Sequence, residues 1–231
     1  MTGEWVDWHR GYDDGQPWTL RLRVVQDRIR EALDSRPPGP IRVISICAGD
    51  GRDLLGVLAT HPRARDVRAR LVELTAELVE AGRDWTSREG LRGVEWVRGD
   101  ASTTTAYTGA VPGDLVLVCG VFGNISDEDV RGTIHHLPEL CARDATVIWT
   151  RGRFEPDLTP AIRRWFAEAG FTELSFVAIP GTTMSVGTHR LTNAGKPFWP
   201  DVRLFTFLPY EQRPSTLAKA RGARANPAAP P

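Results

Sequence analysis

Five short runs rich in aliphatic and β-branched residues alternate with helical stretches, and this alternation constrains the fold more than any other feature of the chain. The runs cover residues 41–47, 69–74, 93–97, 114–119 and 145–150. Helical stretches are expected near 52–60, 76–88, 127–141 and 160–169. A further helix is expected over 19–35. There Leu22, Val25, Ile29, Ala32 and Leu33 share one face, Thr19 can cap the start, and the prolines at 37, 38 and 40 stop it. Ser126 with Asp127, Glu128 and Asp129 reads as a capping box, and Pro160 suits a first helical turn. Strands that are apolar throughout and alternate with helices imply a parallel sheet covered on both faces. Right-handed crossovers then give a doubly wound α/β fold.

After the last helix the pattern changes. Residues 171–179 and 184–191 flank Pro180-Gly181 and suggest an antiparallel hairpin at the sheet edge. Residues 203–207 are a second strand candidate, and the pattern does not choose which of the two pairs with 171–179. Three units are expected. Residues 1–40 form an aromatic cover and helix, 41–208 the core, and 209–231 a disordered tail rich in Pro, Ala and Arg.

Composition excludes several classes. The 231 residues suit one large domain or one domain with appendages. Lys+Arg and Asp+Glu are both 29, which argues against a nucleic-acid partner held by bulk charge. No apolar run approaches the roughly 20 residues of a membrane span. The start of the chain lacks an apolar stretch, so no signal peptide is expected. Cys47, Cys119 and Cys141 lie far apart in no metal-binding spacing, so no metal is expected and a reducing cytoplasm fits.

The most informative segment follows the first strand. The chain runs into Ala48-Gly49-Asp50-Gly51 and then into a helix. In a doubly wound sheet, ligands sit at the carboxyl ends of the strands, beside the first strand. Glycines there let the backbone turn and approach a ligand closely. Glu73 ends the second strand, where an acid reaches the ribose hydroxyls of a nucleoside. A dinucleotide fingerprint read from Gly49 would need glycine where Leu54 stands. Asp50 and Asp53 occupy the helix start, where a diphosphate would bind, and Arg52 offsets one charge at most. The acids disfavour NAD or FAD. They suit S-adenosylmethionine, which carries a sulfonium and an ammonium and no phosphate.

The whole pattern resembles the class I S-adenosylmethionine-dependent methyltransferases over roughly residues 1–208. The resemblance implies a Rossmann-like, mostly parallel seven-stranded sheet with an antiparallel edge hairpin. Ser45 stands where the family's first motif usually has an acid, and Cys47 where it has its first glycine. By the same resemblance Ala48, Gly49, Asp50, Gly51 and Asp53 face the cofactor. Glu73 and Leu74 follow the second strand, Asp100 and Ala101 contact adenine after the third, and Cys119 and Gly120 end the fourth. The chain is similar to bacterial members of the family, which implies no particular acceptor.

Methyl transfer from a sulfonium mainly requires alignment and exclusion of water, and a catalytic base matters only if the acceptor must first lose a proton. Asn124 is expected to orient the acceptor, and Tyr12, with His9, to close over the site. Arg151 and Arg153 are candidates to pair with an anionic acceptor. His135, His136 and His189 read as structural. The reading that follows is a small-molecule methyltransferase. The alternatives are an RNA or protein methyltransferase, a non-catalytic cofactor-binding protein on the same fold, and a nucleotide-dependent oxidoreductase.

Overall fold

The computed structural model describes residues 17–218. Seven strands form one sheet: β1 (Ile41–Ile46), β2 (Val67–Glu73), β3 (Val94–Arg98), β4 (Gly113–Val118), β5 (Cys141–Gly152), β6 (Phe171–Ala178) and β7 (Met184–Leu191). Their order is β3-β2-β1-β4-β5-β7-β6. β1 to β5 pair in parallel, and β7 lies antiparallel between β5 and β6. The order reverses between β1 and β4, which sets the switch point of the sheet at their carboxyl ends.

Among the described residues, five helices cover it: α1 (Pro17–Asp34), α2 (Arg52–Leu58), α3 (Ala76–Arg88), α4 (Asp127–Leu140) and α5 (Thr159–Glu168). Val25, Ile29 and Leu33 of α1 pack with Leu54, Leu55 and Val57 of α2 and Val79 of α3 on one face. Val130, Ile134 and Leu137 of α4 pack with Ile162 and Phe166 of α5 on the other. Each helix places its apolar stripe on the sheet because its periodicity presents one face only. No helix among the described residues is long and apolar enough to cross a membrane.

Two local expectations change, and one open choice is decided. α1 begins at Pro17, so Thr19 lies inside its first turn and does not cap it; proline's fixed φ suits that opening position. β5 starts at Cys141 directly after α4, and Ala142, Arg143 and Asp144 carry no apolar signal of a strand. Residues 184–191 are the partner of β6, while 203–207 make only isolated bridges, Arg203 to Thr103 and Phe207 to Ile125. Ser126 does cap α4, accepting the Asp129 N–H at 3.0 Å. In the segment expected as a tail, Tyr210–Gln212 form a 3-10 turn and residues 214–218 are helical. Arg213 lies over the Tyr210 ring and donates to the Leu208 carbonyl, which orders this stretch. Residues 219–231, like residues 1–16 with His9 and Tyr12, lie outside the described residues.

His189 is buried in β7 between aromatic rings, stacked on Phe166 at 4.3 Å. Its Nδ1 accepts the Trp149 indole N–H at 3.1 Å, so the neutral ring carries its proton on Nε2. Burial pulls its pKa down to about 4, against the attraction of Glu173 and with Arg163 adding to the depression. The unfolded chain, with histidine near 6.5, then binds a proton that the native state refuses. Stability from this group is flat above about pH 6.5 and falls by up to about 3 kcal/mol as the pH drops to about 4. Urea midpoints of the wild type and His189→Gln between pH 7.5 and 4 check this. The variant should lose that part of the slope, and parallel curves would remove His189 as its source.

Candidate functional site

The loop after β1 is a run of left-handed backbone. Cys47 has φ 55°, Gly49 60° and Gly51 78°. Cys47 thus takes a conformation that favours glycine, which explains how it stands where the resemblance expects one. Gly51 is also a packing necessity, because a Cβ there would sit 2.9 Å from the Trp96 ring.

Glu73 ties this loop to β2. Its buried carboxylate accepts the Gly49 N–H at 3.0 Å on one oxygen and the Thr75 N–H at 2.8 Å on the other. Each oxygen keeps a lone pair for a further donor. Leu74, next to it, is 67% exposed.

The two acids at the helix start part company. Asp50 is engaged by Arg52, whose Nε lies 2.9 and 3.0 Å from its two oxygens. Asp53 turns inward toward Cys119, and its Oδ1 is buried without a hydrogen-bond partner. Burial pushes the Cys119 thiol up, the Asp53 charge adds to the shift, and Arg21 opposes it. Cys119 is therefore a protonated thiol at neutral pH, not a nucleophile.

On the same half of the sheet as β1 and β2, Asp100 follows β3. Its Oδ1 accepts the Ser102 N–H at 2.9 Å, and Arg203 approaches its Oδ2 at 3.6 Å. Ala101 is buried, and its carbonyl accepts the hydroxyl of the buried Tyr107 at 2.6 Å. The Cys47 thiol is pushed up by burial, then by the charges of Glu73 and Asp100, which places both acids around it.

After β4 the chain turns at Gly120, φ 77°, where an added Cβ would meet nothing within 4 Å. The Gly120 N–H donates to Thr150 Oγ1 at 2.8 Å, and Arg21 of α1 reaches the same hydroxyl at 3.4 Å. Asn124 donates its side-chain NH2 to the Gly120 carbonyl at 2.6 Å, leaving its own carbonyl oxygen as the free functional end.

Ala48, Gly49, Asp50, Gly51, Asp53, Glu73, Leu74, Asp100, Ala101, Cys119, Gly120 and Asn124 therefore all gather at the carboxyl ends of β1 to β4. Tyr12 lies outside the described residues. The two arginines at the carboxyl end of β5, Arg151 within it and Arg153 just after it, behave otherwise than expected. Arg151 is buried, donates to the Phe122 carbonyl and pairs with Asp127 at 3.3 Å. Arg153 donates to the Thr182 carbonyl at 2.9 Å. Arg151 is a brace for the loop after β4, since its charge is already spent inside the fold. Tyr107, Thr150 and Arg203 enter the site region without any motif pointing to them. Only Arg203 carried a signal, as part of an unassigned strand candidate.

A family model described as "Putative methyltransferase" matches residues 3–168. No curated protein matches the chain. Among solved structures, the chain is similar to an O-methyltransferase family protein from Burkholderia thailandensis, with 17% identity and a TM-score of 0.56. That match covers 76% of this chain and 58% of the other, so the chain spans less than two thirds of that protein. It is also similar to the magnesium protoporphyrin IX methyltransferase of Synechocystis PCC 6803 with bound SAM, at 14% identity and a TM-score of 0.64, covering 82% and 91%. A third is the 1,6-didemethyltoxoflavin-N1-methyltransferase of Burkholderia thailandensis, with bound 1,6-didemethyltoxoflavin and S-adenosylhomocysteine. Its identity is 20% and its TM-score 0.59, over 82% and 87% of the two chains. These likenesses establish the fold, a mostly parallel seven-stranded sheet with an antiparallel edge hairpin. With the family model matching well over half of its length, the chain belongs to this methyltransferase family.

Proposed function

We propose that the chain is an S-adenosylmethionine-dependent methyltransferase that acts on a small molecule by in-line methyl transfer. The observation that carries this reading is the partnerless buried oxygen of Asp53 beside the Gly49 turn that Glu73 holds. A buried anionic oxygen without a donor calls for a cationic ligand group, and a diphosphate would be repelled by it. The neighbours that bind S-adenosylmethionine or its product, and act on a porphyrin or a toxoflavin precursor, support the same class.

In this reading residues 41–208 are the catalytic core. Glu73 takes the ribose hydroxyls on its remaining lone pairs. Asp100 receives the adenine amino group, with Ala101 beside it, and Leu74 covers the base. The backbone from Ala48 to Gly51 and the turn at Cys119 and Gly120 wall the methionine portion. Asp53 faces its ammonium, while Asp50 keeps Arg52 in place. When bound, S-adenosylmethionine supplies a methyl group on a sulfonium whose departure leaves a neutral thioether. The protein's task is then alignment and exclusion of water. Asn124 contributes a carbonyl oxygen that orients an N–H or O–H of the acceptor, because its NH2 is held by Gly120.

Calorimetry with S-adenosylmethionine, S-adenosylhomocysteine and NAD tests the reading. Both sulfur nucleosides should bind and NAD should not. Binding of NAD with no response to either sulfur nucleoside would overturn it.

A further inference from the structure

Residues 199–208 leave β7 and run back over the carboxyl ends of the sheet, outside the segment that the family model matches. They are sewn first to the loop after β3. Leu204 N–H donates to the Ser102 carbonyl at 2.7 Å, and Thr104 N–H to the Val202 carbonyl at 2.9 Å. Thr104 Oγ1 donates to the Trp199 carbonyl at 2.7 Å and lies 3.0 Å from the Val202 N–H. They are then sewn to the entry of α4. Leu208 N–H donates to the Asn124 carbonyl at 2.8 Å, Thr206 N–H to Asp129 Oδ2 at 3.0 Å, and Thr133 Oγ1 to the Leu204 carbonyl at 2.8 Å. Leu204 and Phe205 are buried, so the segment is anchored by its apolar side chains as well. One strap thus spans the loop that carries Asp100 and the loop that carries Asn124.

Arg203 stands on this strap opposite Asp100. Its Nη1 donates to Ser102 Oγ at 2.8 Å and lies 3.6 Å from Asp100 Oδ2. The other oxygen of Asp100 is held by the Ser102 N–H. An exposed carboxylate held at one oxygen still rotates; a cation at the other removes that freedom before a ligand arrives. Burial works against ionisation of Asp100, and the hydrogen bonds from Ser102 with the charge of Arg203 outweigh it, holding the carboxyl below its ordinary range.

We infer that Arg203 is a positioning residue: from a strap outside the matched family segment, it orients the Asp100 carboxylate to receive the adenine amino group of the cofactor. The inference rests on the function proposed above. It assigns the strap a role in cofactor recognition, acting through Asp100 and not by touching the reacting atoms.

The test is a double-mutant cycle on the full chain, read as the calorimetric Kd for S-adenosylhomocysteine. Arg203→Ala should weaken binding about three- to fivefold, the size expected of an exposed ion pair. In an Asp100→Ala background the same change should alter Kd by less than about twofold. Arg203→Lys should recover part of the loss, and the wild-type advantage should shrink at high salt. A loss of equal size in both backgrounds would mean general loosening of the strap and would overturn the inference, as would an unchanged Kd for Arg203→Ala. In both of those cases wild-type binding stands, so the proposed function survives. A wild-type protein that binds no sulfur nucleoside overturns the function and the inference together.

Discussion

Glu73→Ala should lose cofactor affinity by about five- to 150-fold and cost the free protein about 2–4 kcal/mol of stability. Both effects come from one carboxylate. Its free lone pairs are the proposed acceptors for the ribose hydroxyls, and a lost charge-assisted contact is worth on the order of 1–3 kcal/mol in affinity. Its other lone pairs satisfy the N–H groups of Gly49 and Thr75 in a buried setting. Removing it leaves two donors unpaired, at about 1–3 kcal/mol each, less whatever water recovers. Glu73→Gln returns one acceptor but sets an NH2 against the second N–H, so it should recover no more than about half of the stability. Urea denaturation reads the stability, and calorimetry with S-adenosylhomocysteine reads the affinity. An alanine variant of unchanged affinity would show that the ribose lies elsewhere.

Trp149→Ala should cost about 3–5 kcal/mol, the range for removing a large buried aromatic side chain. The indole stacks on Phe166 at 5.9 Å and 11°, and lies within 6.1 Å of the Phe122, Phe176 and His189 rings. Its cross-strand partner is Gly187, where an added Cβ would stand 2.2 Å from the ring. The partner strand therefore has no side chain to move into the space, and the cavity stays open. Nδ1 of His189 also loses its donor inside the core. The residues after Trp149, Thr150 and Arg151, brace Gly120 and Phe122 at the site, so the change should also loosen the loop after β4. Urea unfolding gives the magnitude. A loss below about 1.5 kcal/mol would show that the cluster repacks despite Gly187.

The layered sheet was legible in the sequence because each strand and helix reports its own burial through its period. Strands 41–47, 69–74 and 114–119 read correctly because they are buried on both faces. β5 did not, since Ala142, Arg143 and Asp144 carry no apolar pattern and fall in the register irregularity between the Cys141–Gly113 and Thr146–Leu115 pairs. The choice between 184–191 and 203–207 was equally hidden, because both are short apolar runs and only packing separates them. The loop from Ala48 to Gly51 and the acid at Glu73 were legible because glycine spacing and a terminal acid are local features. Arg151 was misleading for the opposite reason: no local pattern tells whether a guanidinium turns inward.

By itself the sequence determined the order of elements, the class of fold and the place of the candidate site at the strand ends. Hydrophobic period and glycine position act over a few residues, and they suffice for that. Only the tertiary structure decided how the charges are shared. It paired Asp50 with Arg52, left Asp53 Oδ1 without a hydrogen-bond partner, spent Arg151 on the Phe122 carbonyl, and brought Arg203 from the far end of the chain onto Asp100. Those pairings join residues separated by up to 103 positions, and a hydrogen bond's strict geometry is met or missed only once the whole sheet has closed.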